Sequence, residues 1–110
     1  MMRLKVNSKY WNFILTSESN NLTLDNKLLR AVIHYRTKTV YIDKNYFCEG
    51  VDVERLIIHE LVHIFIYETQ SFQGLYDEEF VCEFLAQYLK TILRCCKKVI
   101  RGLNDDRQSN

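Results

Sequence analysis

Between Asp52 and Tyr67 the chain reads DVERLIIHELVHIFIY. Its apolar side chains, from Val53 and Leu56 through to Phe65 and Ile66, fall at nearly every angle of a helical wheel. A helix that is apolar all round is a buried one, so the segment predicts a central helix with other elements packed about it. The same segment carries His59, Glu60 and His63. Titratable groups in such a place are costly unless something compensates them. What surrounds this helix, and what compensates its polar residues, are therefore the two questions the rest of the chain must answer.

Upstream the hydrophobic period is two. Leu4 and Val6, then Trp11, Phe13 and Leu15, alternate on either side of a polar turn at Ser8 and Lys9, which predicts a β-hairpin. Residues 17–21 (SESNN) read as a loop, residues 28–35 as a strand, residues 36–38 as a turn, residues 39–43 (TVYID) as a short strand and residues 44–51 as a connection. Asp52 is the expected N-cap of the apolar helix. That helix ends in TQSFQG, with Gly74 in a turn role. Asp77 is expected to cap a second long helix reaching about Arg101, with Val81, Leu85, Tyr88, Leu89, Ile92 and Cys96 as its apolar stripe. Strands followed by helices make an α+β fold. The expected form is a small, mostly antiparallel N-terminal sheet of about four strands packed on the two helices. Residues 1–101 form the single domain, and residues 102–110 (GLNDDRQSN) read as a polar, disordered tail.

At 110 residues the chain is one small domain, and with no Pro and 3 Gly it is not linker-rich. A formal net charge of +1 gives no electrostatic case for nucleic acid. No apolar run approaches a membrane span, and Arg3 and Lys5 interrupt any signal-like opening. Cys48, Cys82, Cys95 and Cys96 form no CxxC pair. The expectation is a cytoplasmic protein with reduced thiols, no membrane partner and no nucleic-acid partner. The oligomeric state is not legible in the sequence.

Compensation for the polar residues can be read from spacing. His59 and His63 are i and i+4, so they leave one helix face about one turn apart. Two imidazoles so placed can reach one cation at the zinc–nitrogen distance of roughly 2.0–2.1 Å. Glu60 is rotated by one residue, beside the metal and able to touch a bound water without ligating. This is the HExxH arrangement. A catalytic zinc needs a third protein ligand and one open position. On the second helix Glu78, Glu79 and Glu83 are available, and Glu79 is preferred because only it has a carboxylate at i+4. Glu83 would then accept a hydrogen bond from the outer nitrogen of a ligand histidine, His59 by preference. His34 and Cys82 read as a strand histidine and a packing residue rather than ligands.

HELVH on such a helix, followed by Glu79 within EEFVCEFLAQY, resembles the gluzincin-type metallopeptidases. More closely it resembles the small ImmA/IrrE-like and phage-encoded metallopeptidases of minimal size. Glu79, Cys82, Glu83, Leu85 and Ala86 occupy the positions of that group's glutamate-helix pattern. The resemblance is strong over about residues 39–90 and general before that. It implies a zincin-like fold, Zn2+ as cofactor, His59, His63 and Glu79 as ligands, and Glu60 as the catalytic carboxylate. Glu83 takes the place of the acidic residue that orients a ligand histidine. It further implies hydrolysis of a protein or peptide substrate in the cytoplasm of a bacterial or phage-infected cell, with an edge strand beside the active helix holding an extended substrate. Gluzincins add a Tyr or His to the oxyanion, for which Tyr67, Tyr76 and His34 are the candidates here.

Two other readings compete. A non-proteolytic regulator or interaction protein could keep the fold and its zinc; a structural site would then fill the fourth position with protein. Peptide deformylases also use HExxH, but here Cys48-Glu49-Gly50 has the wrong order and spacing for their cysteine motif.

Overall fold

The computed structural model describes residues 1–70 and 76–108. In chain order it contains β1 (Met2–Val6), β2 (Lys9–Thr16), a single 3-10 turn (Ser19–Leu22), β3 (Thr23–Leu24), β4 (Lys27–Leu28), β5 (Ala31–His34), β6 (Thr39–Asp43), α1 (Lys44–Glu49), α2 (Val53–Thr69) and α3 (Glu78–Gln108). The expected α+β order, strands first and helices last, is what forms. The turn expected at Gly74 lies outside the described residues.

The first hairpin closes through Asn7 and Ser8, whose φ angles of 48° and 70° are those of a two-residue turn matched to strand twist. A second small hairpin, β3 with β4, turns through Asp25 and Asn26 at φ 52° and 64°. Asp and Asn tolerate this left-handed backbone better than most residues. The main sheet has the order β1-β2-β6-β5. The β1–β2 and β5–β6 ladders are antiparallel, whereas β2–β6 is parallel, with Phe13 beside Val40 and Leu15 beside Ile42. The sheet is thus mixed. A parallel pair needs a connection of roughly a dozen residues or more, and the segment between Thr16 and Thr39 supplies it, carrying β5 on the way. TVYID consequently sits inside the sheet, and the strands at its edges are β1 and β5.

One face of the sheet is apolar. Leu4, Val6, Trp11, Phe13, Val40 and Ile42 point the same way and are buried against α2 and α3, while Arg3, Lys5 and Tyr10 on the other face are exposed. This is the alternation of a half-solvated sheet. The connection after β6 is not a loop. Asp43 accepts a hydrogen bond from the Asn45 amide (3.0 Å), which starts α1, and Gly50 at φ 75° ends it. Asp52 does precede α2, but it adopts a left-handed backbone and its side chain caps nothing. Asp77 is the cap the sequence promised, accepting from the Phe80 amide at 2.9 Å.

Two further expectations need correction. Residues 102–108 are not a tail: α3 runs on to Gln108, Leu103 is fully buried and Gly102 lies against the Met2 side chain. The polar letters of GLNDDRQ hide two positions, Gly102 and Leu103, that continue the helix's inner stripe onto β1. Nor is α2 enclosed on all sides. Ile57, Leu61, Ile64 and Phe65 are buried, yet Arg55, His59, His63 and Tyr67 form an exposed row at four-residue spacing. The sheet covers one flank of α2 and α3 another, and the third opens on a cleft. Among the described residues no helix is long and apolar enough to cross a membrane.

Candidate metal centre

The four-residue spacing of His59 and His63 brings their rings together on the open side of α2, with centroids 4.9 Å apart. Glu60, one residue on, sits deeper: it is only 8% exposed, yet it still lines the cleft beside His59. Of the three titratable residues that appeared buried in the sequence, only this one is. Among the described residues no hydrogen bond or ion pair reaches its carboxylate. Burial raises its pKa above the ordinary 4.5, and the neighbouring His59 opposes that shift. Partial enclosure lowers the pKa of His63 below 6.5, and the charge of His59 adds to the effect.

His59 and Glu60 line a cleft of about 620 Å3. Its other walls are the segment Leu28–Ala31, which leads into β5, then Tyr46 of α1, and Asp52, Arg55 and Leu56 at the start of α2. The Asp43 amide donates to the Arg30 carbonyl (2.8 Å), so Arg30 and every second residue after it direct their backbone groups toward β6. Ala31 and Ile33 then direct theirs to the outside. Among the described residues β5 pairs on one side only, so an edge with free amide donors and acceptors lies beside the two histidines' helix.

Beyond β5, the start of the turn supplies Tyr35. Its ring packs on Tyr67 (centroids 4.8 Å) and edge-on to Trp11 (6.0 Å). Burial raises the pKa of its phenol, and the charge of Glu60 is the next largest contribution, which sets this hydroxyl within electrostatic reach of the buried carboxylate. Sequence reasoning missed Tyr35, since nothing local tells which tyrosine a tertiary turn will aim at α2. Of the three oxyanion candidates named from sequence, Tyr67 lies in this cluster. Tyr76 stacks edge-on to Phe80 (5.2 Å), and it too contributes to the raised pKa of Tyr35, ahead of Tyr67. His34 packs on Tyr41 (5.3 Å), and strand alternation puts it with Val32 and Tyr41 on the sheet face turned away from α2.

The glutamates of α3 stand apart from the histidines. Phe65 meets Tyr88 (5.9 Å) and the Cys96 thiol approaches the Glu54 carbonyl (3.8 Å), which fixes the antiparallel register of α2 and α3. By that register His63 is level with the α3 positions just past Tyr88. Glu79 then lies roughly ten residues, or about 15 Å, further along the axis, and Glu83 about 9 Å. Both are exposed. Among the described residues no group of three or more His, Cys, Asp or Glu side chains is arranged to hold a metal ion. The imidazole pair and the unpaired buried carboxylate thus suit a divalent cation, while the α3 carboxylates as placed do not complete its ligand set.

Comparison with known proteins finds no matching family model, no similar curated protein and no similar solved structure.

Proposed function

We propose that the chain is a zinc-dependent metallopeptidase, with His59 and His63 holding the metal and Glu60 as general base. The observation that carries this reading is Glu60, a largely buried residue whose carboxylate has no partner, at the cleft wall beside an imidazole pair at ligand spacing. A partly desolvated carboxylate without a partner is costly, and a cation held by the two imidazoles removes much of that cost.

When bound, zinc supplies Lewis acidity and a nucleophilic water at neutral pH. The remaining steps belong to side chains. Glu60 takes up a proton at its carboxylate and returns it to the leaving amine, a task favoured by its raised pKa. The Tyr35 hydroxyl donates to the substrate carbonyl oxygen as negative charge develops there. The outward amides of Ala31 and Ile33 align an extended peptide as an added strand. Glu79 as third ligand and Glu83 as the acceptor that orients a ligand histidine rest on the sequence pattern. The proposed substrate is a protein or peptide, and the proposed setting is the cytoplasm of a bacterial or phage-infected cell.

The separation of Glu79 from the histidines favours one second reading, a zinc-binding regulator without peptidase activity. A single substitution divides the two. Glu60→Gln is expected to retain zinc and lose all hydrolysis of a broad peptide library. A zinc-loaded wild type that cleaves nothing in that library rejects the peptidase and leaves the regulator.

A further inference from the structure

Two arginines, Arg30 and Arg55, line the cleft with His59 and Glu60. Arg55 lies four residues before His59, hence one turn along the same face of α2. Arg30 belongs to the Leu28–Ala31 wall of the cleft. Its backbone is tied to Asp43 (2.8 Å) and its guanidinium lies 4.3 Å from the centroid of the buried Tyr46 ring, so the group is held rather than loose. Stacking on a ring leaves the in-plane N–H donors of an arginine free for a planar anion. Both arginines are exposed, and among the described residues neither makes an ion pair or a side-chain hydrogen bond. Asp52 also lines the cleft, yet it lies within 4 Å of neither guanidinium's nitrogens. The chain as a whole is close to neutral, which makes two unpaired arginines in one concave site a local feature rather than a sample of a basic surface.

We propose that Arg30 and Arg55 form a carboxylate-binding subsite, so that the cleft selects peptides bearing a carboxylate within one or two residues of the bond presented to His59 and Glu60. The selectivity claim rests on the peptidase reading; the binding claim does not. A carboxylate accepts paired hydrogen bonds from guanidinium in a geometry that an amide of the same shape does not reproduce. It can come from an Asp or Glu side chain or from a peptide's C-terminus, and the two sources are separable.

The test uses the full chain loaded with zinc and four otherwise identical alanine-rich peptides. One carries an internal Glu with an amidated end, one an internal Gln with an amidated end, one an internal Gln with a free carboxyl end, and one an internal Lys with an amidated end. Affinity is read by calorimetry on Glu60→Gln, and kcat/KM is read on the wild type. The Glu peptide, the free-acid peptide or both should bind on the order of tenfold tighter than the amidated Gln peptide. Which of them does so identifies the source. Arg30→Gln and Arg55→Gln should each reduce that ratio, and the double substitution should bring it to about one. If the wild type cleaves nothing while the ratio and its loss hold, the peptidase reading fails and the subsite stands. Equal affinity for the Glu, free-acid and amidated Gln peptides overturns the subsite, as does a preference that survives the double substitution in a protein with an unchanged melting temperature.

Discussion

Lys38→Met should unseat the end of α2 by stranding one carboxylate. The Glu68 side chain is 7% exposed, and one of its oxygens accepts two hydrogen bonds, from Trp11 Nε1 (2.7 Å) and from Lys38 Nζ (3.0 Å). The Lys38 ammonium also sits 5.1 Å from the ring centroids of both Trp11 and Tyr67. Breaking a fully buried ion pair costs about 3–5 kcal/mol. Here the lysine side chain is 28% exposed and Trp11 continues to donate, so about 2 kcal/mol is the better figure. For a domain of 110 residues the unfolding entropy is about 0.23 kcal/mol per kelvin, which converts this to a fall in Tm of about 9 °C. Methionine keeps the length of the side chain, so the loss is one of charge. Trp11 is the chain's single tryptophan and is fully buried, so its fluorescence in urea follows the very cluster being perturbed. Adding Glu68→Gln retains an acceptor for Trp11 without the charge, and the double variant should recover more than half of the loss. A single variant within about 0.5 kcal/mol of wild type, or a double variant no better than the single, would refute the claim that Lys38 neutralises a buried carboxylate.

Purified protein should carry close to one zinc per chain by elemental analysis, and the pair His59→Ala with His63→Ala should abolish it; unchanged zinc removes the centre. Gly102→Ala should destabilise by about 1–2 kcal/mol despite alanine's better helix propensity, because a methyl group there meets the Met2 side chain; with Met2→Ala added, thermal melts should show the alanine becoming neutral or stabilising. Native protein should titrate two fast thiols, the exposed Cys48 and Cys82, while Cys95 and Cys96 react only on unfolding, since both are buried and burial pushes Cys96 up to about 11.

Much of the fold was legible because it is local. The alternation of Leu4 and Val6 with Trp11, Phe13 and Leu15 found the hairpin, TVYID found β6, and Asp77 found the start of α3. What escaped depends on partners distant in sequence. The parallel pairing of β2 with β6 leaves no mark on either strand's own pattern. Gly102 and Leu103 looked like tail because their partner, β1, lies at the other end of the chain. In the site, spacing alone brought His59 to His63. It could not show that these two are exposed while Glu60 is buried, since that depends on which flanks of α2 the sheet and α3 cover. Arg30, Tyr35 and Tyr46 were missed for the same reason: each enters from an element that meets α2 only in three dimensions.

The contact of Gly102 with Met2 has a consequence for how the molecule is made. The turns of α3 around Gly102 and Leu103 close over the first strand, so β1 keeps an open apolar face until about a hundred further residues have left the ribosome. Long-range closure of this kind slows the search for the native state. It also makes the nascent chain most vulnerable to wrong pairing during the interval when the hairpin exists but its α3 cover does not.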